Sequence, residues 1–98
     1  MTPLRGLPNI GPVVAAELEA AGILDAEALR AAGSVGAGVA LRGSGFEVCR
    51  SKLAGLEGAI RGIRWHLVPA AAREGLWDEL EAATGGARVS TGSQKPQP

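Results

Sequence analysis

Apolar residues along this chain recur every three or four positions, and nowhere do β-branched residues alternate with polar ones over the length of a strand. The pattern predicts an all-α fold. Its segments are divided by prolines and glycines that mark where helices start and stop. Gly11-Pro12 opens one helix, because proline is pre-set for the first helical position. Gly22 closes it by accepting a left-handed backbone, which puts Leu18 and Ile23 at the two positions that touch in a Schellman cap. Ahead of that helix, Pro3 to Gly6 suffices for about one helical turn. Asp25 is a good N-cap for the next helix, with Leu24 and Leu29 spaced as a hydrophobic staple, and Gly33 stops it. Ser34 to Arg42 reads as a weaker helix, since Gly36 and Gly38 each cost up to about 1 kcal/mol inside one.

Ser44-Gly45-Phe46-Glu47 has the form of a capping box and precedes the longest periodic run. Phe46, Cys49, Leu53, Leu56, Ile60, Ile63 and Leu67 step by three and four, which predicts one central helix of roughly 30 Å at about 1.5 Å per residue. Gly55, Gly58 and Gly62 would be its points of close approach. Pro69 can open a last helix over about residues 70–83, with Ala72, Leu76, Leu80 and Ala83 on one face, and Gly85-Gly86 ends it. The expected fold is a small single domain of about five helices over residues 1–85, with one long central helix. Residues 86–98 have almost nothing to bury and are expected to form a disordered tail.

The length of 98 residues allows one domain with a modest core. Ten basic residues balance ten acidic ones, so no overall field draws the molecule to nucleic acid or to anionic lipid. One cysteine, Cys49, and one histidine, His66, supply neither an intrachain disulfide nor a zinc set, and no cofactor is implied. A reducing, cytoplasmic setting is expected. No apolar run is long enough to span a membrane, and the first residues lack the pattern of a secretory signal.

The stretch Leu7-Pro8-Asn9-Ile10-Gly11-Pro12 reads as a tight turn feeding a helix, the layout of a helix-hairpin-helix in the N-terminal half. Such a turn can aim backbone N–H groups at a phosphate, or can merely join two helices. Asn9, Ile10 and Gly11 are its candidate contacts. Charge is uneven: residues 41–66 carry five basic and two acidic residues. Arg50, Arg61 and Arg64 would fall within about 60° of one another on a single helix, giving a basic stripe for nucleic acid. Glu57 to Arg61 is also a favourable i,i+4 pair, so the same face can be self-paired and solvated. Trp65 is expected in the core with its indole N–H bonded, Cys49 as a small buried apolar side chain, and His66 half-exposed at a helix end. Trp77, at the edge of the last helix's apolar face, is the candidate anchor for a partner. No nucleophile, paired carboxylates or phosphate loop supports catalysis.

The turn Leu-Pro-Asn-Ile-Gly-Pro, then Leu18, Gly22-Ile23, Leu29 and Gly33, then Leu56-Glu57-Gly58-Ala59-Ile60-Arg61-Gly62-Ile63-Arg64-Trp65, resembles the C-terminal domain of the TfoX/Sxy family over roughly residues 4–80. The resemblance implies an all-helical, helix-hairpin-helix-like domain in a family named for regulators of DNA uptake and natural transformation. Members of that family commonly carry an additional α/β domain first. The match here begins almost at Met1, so the chain is expected to act alone or through a separate partner. DNA-binding hairpins of this kind usually have glycine where Asn9 stands and a cation early in the helix, where this chain has Val13-Val14. Two functions follow: a non-enzymatic regulatory module acting by protein contacts or weak, sequence-independent DNA contacts, or a purely protein-interaction domain. In the second, an exposed part of the Gly55/Gly58/Gly62 ridge or of the alanine-rich first long helix would form a homodimer or seat another partner.

Overall fold

A computed structural model describes residues 1–85, and the expected tail at 86–98 lies outside the described residues. A 3₁₀ turn at Leu4–Gly6 leads into α1 (Pro12–Ala20), α2 (Ala26–Gly43) and α3 (Arg50–Arg61). A second 3₁₀ turn at Trp65–Leu67 then joins α3 to α4 (Ala70–Ala83). Among the described residues there are four α-helices and no strand.

Proline, aspartate and glycine set these boundaries largely as their chemistry requires. Pro12 sits at the first position of α1, and Asp25 caps α2 by accepting the Ala28 N–H at 2.8 Å. The end of α1 is a Schellman cap: Gly22 is left-handed at φ 91°, and the Ile23 N–H reaches the Leu18 carbonyl at 2.8 Å. Leu18 and Ile23 are both buried there. α2 is broken at Gly33, whose φ 76° and ψ 166° are non-helical, at the position where one helix is expected to stop and the next to begin.

The long central helix is not present, and the reason lies in Gly45 and Gly62. Gly45 has φ 90°, and the Phe46 N–H bonds the Leu41 carbonyl at 2.9 Å, so Ser44 to Phe46 terminates α2 and opens no new helix. Glu47 therefore completes no capping box. Cys49 caps α3, its Sγ accepting the Lys52 N–H at 3.4 Å. At the other end Gly62, with φ 77°, is the left-handed C-cap, and the Ile63 N–H bonds the Gly58 carbonyl at 2.8 Å. α3 thus has 12 residues, about 18 Å at 1.5 Å per residue. Three expectations fall with the long helix. Cys49 is exposed, Trp65 is 42% exposed in a turn, and Leu67 is 60% exposed. The Leu24 staple also fails, since Leu24 is 66% exposed.

The core is built of aliphatic side chains: Leu18, Leu29, Leu41, Leu53, Leu56 and Leu80 are fully buried. α2 packs chiefly on α3, and α4 lies against both. Gly38 permits this approach, for a Cβ there would sit 3.0 Å from a Leu80 methyl. Arg42 ties the same helices at the surface, pairing with Glu81 at 2.9 Å and donating to the Thr84 hydroxyl at 2.9 Å.

Candidate functional site

The Leu7–Pro12 turn is held against the far end of α3 by one side chain. Asn9 adopts φ 68°, a left-handed conformation that asparagine tolerates better than other residues with a Cβ. Its Nδ2 donates to the Ile63 carbonyl at 3.0 Å and to the Gly55 carbonyl at 3.3 Å. Its Oδ1 accepts the backbone N–H of Trp65 at 3.1 Å. The amide is therefore engaged at both ends by its own chain. Gly58 makes room for it, since a Cβ there would lie 2.6 Å from Nδ2 and 2.7 Å from the Ile63 oxygen. Ile10 is 6% exposed and belongs to the core, while Gly11 is the exposed N-cap of α1.

This docking covers two of the three glycines of the ridge: Gly55 and Gly58 are buried, Gly55 against Asn9 and Gly58 against Asn9, Ile63 and Trp65, while Gly62 is exposed. Beside the contact lies a groove of about 370 Å³. Asn9, Ile10 and Val14 form one side of it, Ser51, Lys52, Gly55 and Leu56 of α3 the other, and Arg64 and Trp65 its end.

Of the three arginines proposed as a stripe, only Arg64 joins Asn9 and Ile10 at this groove. Arg50 and Arg61 stand at opposite ends of α3, about 16 Å apart along its axis. Arg64 lies beyond Gly62 and so belongs to no helical face. Arg50 pairs with Glu74 of α4, and its guanidinium lies 5.0 Å from the centre of the Trp77 ring. Arg61 makes the i,i+4 pair with Glu57 at 2.7 Å. Lys52 is bound by Glu17 at 2.6 Å and by the Glu47 carbonyl at 2.7 Å. Arg64 has no ion-pair partner among the described residues.

Two carboxylates and the thiol are perturbed by their partners. Burial acts to raise the Glu57 carboxyl, but the Ser34 hydroxyl at 2.7 Å and the Arg61 guanidinium outweigh it and hold the group below the ordinary range. The Thr2 backbone N–H and hydroxyl donate to the two oxygens of Glu27 and bring its pKa down to about 2. The Lys52 N–H, with lesser help from Ser51, lowers the Cys49 thiol. His66 is exposed, edge-on to the Trp65 ring at 6.0 Å between centroids. Among the described residues no cluster of three or more His, Cys, Asp or Glu could hold a metal, and no helix is long and apolar enough to cross a membrane.

Trp77 is half-buried against the core, with Arg42 at 5.3 Å as well as Arg50 over its ring. Trp65 is the more exposed aromatic, with Arg73 at 5.6 Å from its ring centre. Trp65 is expected in the core because the sequence reads it as part of a continuous helix, and the turn after Gly62 exposes it instead. Sequence reasoning also missed the Asn9 tether, for which the one available signal was asparagine standing where related turns have glycine.

Fold and site together define a small all-α domain that offers a surface with a shallow groove. The family model of the TfoX C-terminal domain matches residues 1–80, and the chain belongs to that family. Its structure is similar to that of an uncharacterized protein from Listeria monocytogenes in a triclinic crystal form, with 38% identity and a TM-score of 0.76 over 84% of this chain and 93% of that one. A protein of unknown function from Listeria monocytogenes in a tetragonal form has 37% identity and a TM-score of 0.74 over 80% of this chain and 96% of that one. No protein of curated function matches.

Proposed function

We propose that this domain is a non-enzymatic binding module that works through protein contacts, in the regulatory setting that the TfoX family suggests. The observation that carries this reading is the inward engagement of the Asn9 turn. Its amide bonds Gly55, Ile63 and Trp65, Ile10 is buried, and the cations Arg50, Lys52 and Arg61 are each paired with a carboxylate. Sequence-independent affinity for DNA comes mainly from cations free to meet phosphates, and few are free on this side of the molecule. The turn itself supports a helix-hairpin-helix-like arrangement, with a 3₁₀ turn in place of the first helix and α1 as the second. The break at Gly33 supports counting five helical segments. In this reading the hairpin is a joint that fixes the surface, and the surface does the binding. What that surface offers is exposed apolar area: Trp65 at 42% and Leu67 at 60% on one short turn.

The test is anisotropy of a labelled duplex DNA titrated with the full chain at low and moderate salt. We expect no micromolar binding at about 50 mM salt. Micromolar binding that weakens steeply with salt, and is lost when Arg50, Arg61 and Arg64 are replaced together, would overturn the reading in favour of a phosphate site.

A further inference from the structure

We propose that the groove beside Trp65 docks an acidic, amphipathic segment of a partner protein. The partner's apolar side chain sits against Val14 and the Trp65 indole, and its carboxylates reach Arg64 and Arg73. This rests on the protein-binding reading above and gives the partner its chemistry.

Trp65 is a wall shared by two depressions. On one side is the groove of about 370 Å³, where part-exposed Val14 stands over the buried Ile10, Gly55 and Leu56. On the other is a smaller depression of about 190 Å³ lined by Ser51, Ala54, Ala70 and Arg73. The indole between them is exposed although it is large, rigid and apolar, which is the profile of an interface anchor.

Charge selects the occupant. Arg50, Lys52, Arg64 and Arg73 line the two depressions. Glu74 matches Arg50 and Glu17 matches Lys52, which leaves Arg64 and Arg73 without carboxylates among the described residues. Arg73 is held in place by its Nε bond to the Val68 carbonyl at 3.0 Å and lies over the Trp65 ring. Two unmatched guanidiniums thus flank an exposed indole, with Val14 in the same groove. The complementary ligand is an apolar side chain with a carboxylate to either side, and such pairing of opposite charge steers and orients a partner. A single nucleic-acid strand fits less well. It needs a continuous line of cations along its phosphates, and here Glu17 and Glu74 interrupt that line. The Asn9 amide, turned inward, also offers no edge to read a base.

The experiment selects random peptides of about ten residues, long enough to cross both depressions in extended form, against the full chain displayed on a surface. Selected peptides are synthesised and titrated at low and moderate salt against wild type, Trp65→Ala, Arg64→Glu, and Val13→Ser, an exposed position of α1 that lines neither depression, with each variant's fold checked by circular dichroism. Amide shifts of Ser51 and Gly55 and the indole N–H of Trp65 are followed in parallel, and an oligothymidine competes. Expected are peptides with Asp or Glu on both sides of Leu, Phe or Trp, binding about tenfold or more weakly to Trp65→Ala and Arg64→Glu, unchanged on Val13→Ser, and shifting the groove resonances. Arg64 is exposed and outside any helix, so its variant keeps the test valid if Trp65→Ala is unstable. Peptides without acidic enrichment, or ones indifferent to both groove variants, overturn the groove while leaving protein binding intact. Oligothymidine that displaces them and itself depends on Arg64 overturns both.

Discussion

The two buried glycines of α3 make a matched pair whose responses to alanine should have opposite signs. A helix-interior glycine costs about 1 kcal/mol relative to alanine, so with nothing else in play either substitution would stabilise by that amount. At Gly55 the added Cβ meets only the Asn9 Cβ at 3.5 Å, an ordinary contact, and the propensity gain should survive. At Gly58 it would meet Asn9 Nδ2 at 2.6 Å, the Ile63 oxygen at 2.7 Å and the Trp65 Cα at 3.2 Å. Two of those three atoms are backbone, so no side-chain rotation relieves the contact. The turn after α3 must move outward, which strains the Ile63-to-Gly58 bond of the cap and the three hydrogen bonds of Asn9. Overpacking of this kind costs about 1–3 kcal/mol, and each hydrogen bond weakened adds a part of about 1 kcal/mol. Set against the propensity gain, Gly58→Ala should destabilise by about 2 kcal/mol, while Gly55→Ala should be neutral or stabilise by up to about 1 kcal/mol. Urea unfolding followed by circular dichroism reads both. With a slope of about 1 kcal/mol per molar urea, Gly58→Ala should lower the midpoint by about 2 M. A Gly58→Ala protein as stable as wild type, or a Gly55→Ala protein that falls with it, would refute the docking of Asn9 on this helix.

Other outcomes follow from the same geometry. Asn9→Gly keeps the left-handed turn but loses the three bonds, and should cost about 2–3 kcal/mol in the same unfolding assay. Asn9→Ala should cost more, since it adds backbone strain at φ 68°. Glu27 has a folded pKa of about 2 against an ordinary 4.5, so its tether to Thr2 is complete above the ordinary value and is lost as pH falls through the folded one. A carboxyl NMR titration of Glu27 with its midpoint at the ordinary value would refute that tether. Cys49 should alkylate with a pH midpoint below that of an unperturbed thiol. Cys49→Ser should retain the cap of α3, whereas Cys49→Val should cost about 1 kcal/mol in helix stability.

The helix boundaries that depend on one residue's own conformational limits were readable in the sequence. Pro12, Asp25 and Gly22 act through their rings, side-chain oxygen and missing Cβ, and they act the same way in any chain. The boundaries of α3 were misread for a different reason. The apolar stripe from Phe46 to Leu67 fits helical period, but only Leu53 and Leu56 of it are buried, both within α3, while Cys49 and Leu67 outside that helix are exposed. Gly45 and Gly62 carried the needed information, and glycine at φ near 90° and 77° ends a helix as firmly as Gly22 does at 91°. Gly45 reads as the first residue of a helix behind the Ser44 cap and Gly62 as a residue inside it, which is why Cys49 and Trp65 are expected inside.

The candidate site was legible as a list and illegible as an arrangement, and Asn9 shows why. From sequence its side chain has two uses, to stabilise a left-handed turn and to reach a ligand, and the choice depends on what stands opposite. That partner lies 46 to 56 positions away, at Gly55, Ile63 and Trp65, brought near by the packing of α3 and the stop at Gly62. Arg50, Arg61 and Lys52 follow the same rule: each looks like a free cation until a glutamate on its own or another helix takes it. What remains around the groove after these internal claims are met is Arg64, Arg73 and the exposed ring of Trp65, while Arg5 and Arg30 are left without ion pairs elsewhere among the described residues. A surface is thus defined by subtraction, and the groups left over at the groove are the ones a partner can still satisfy.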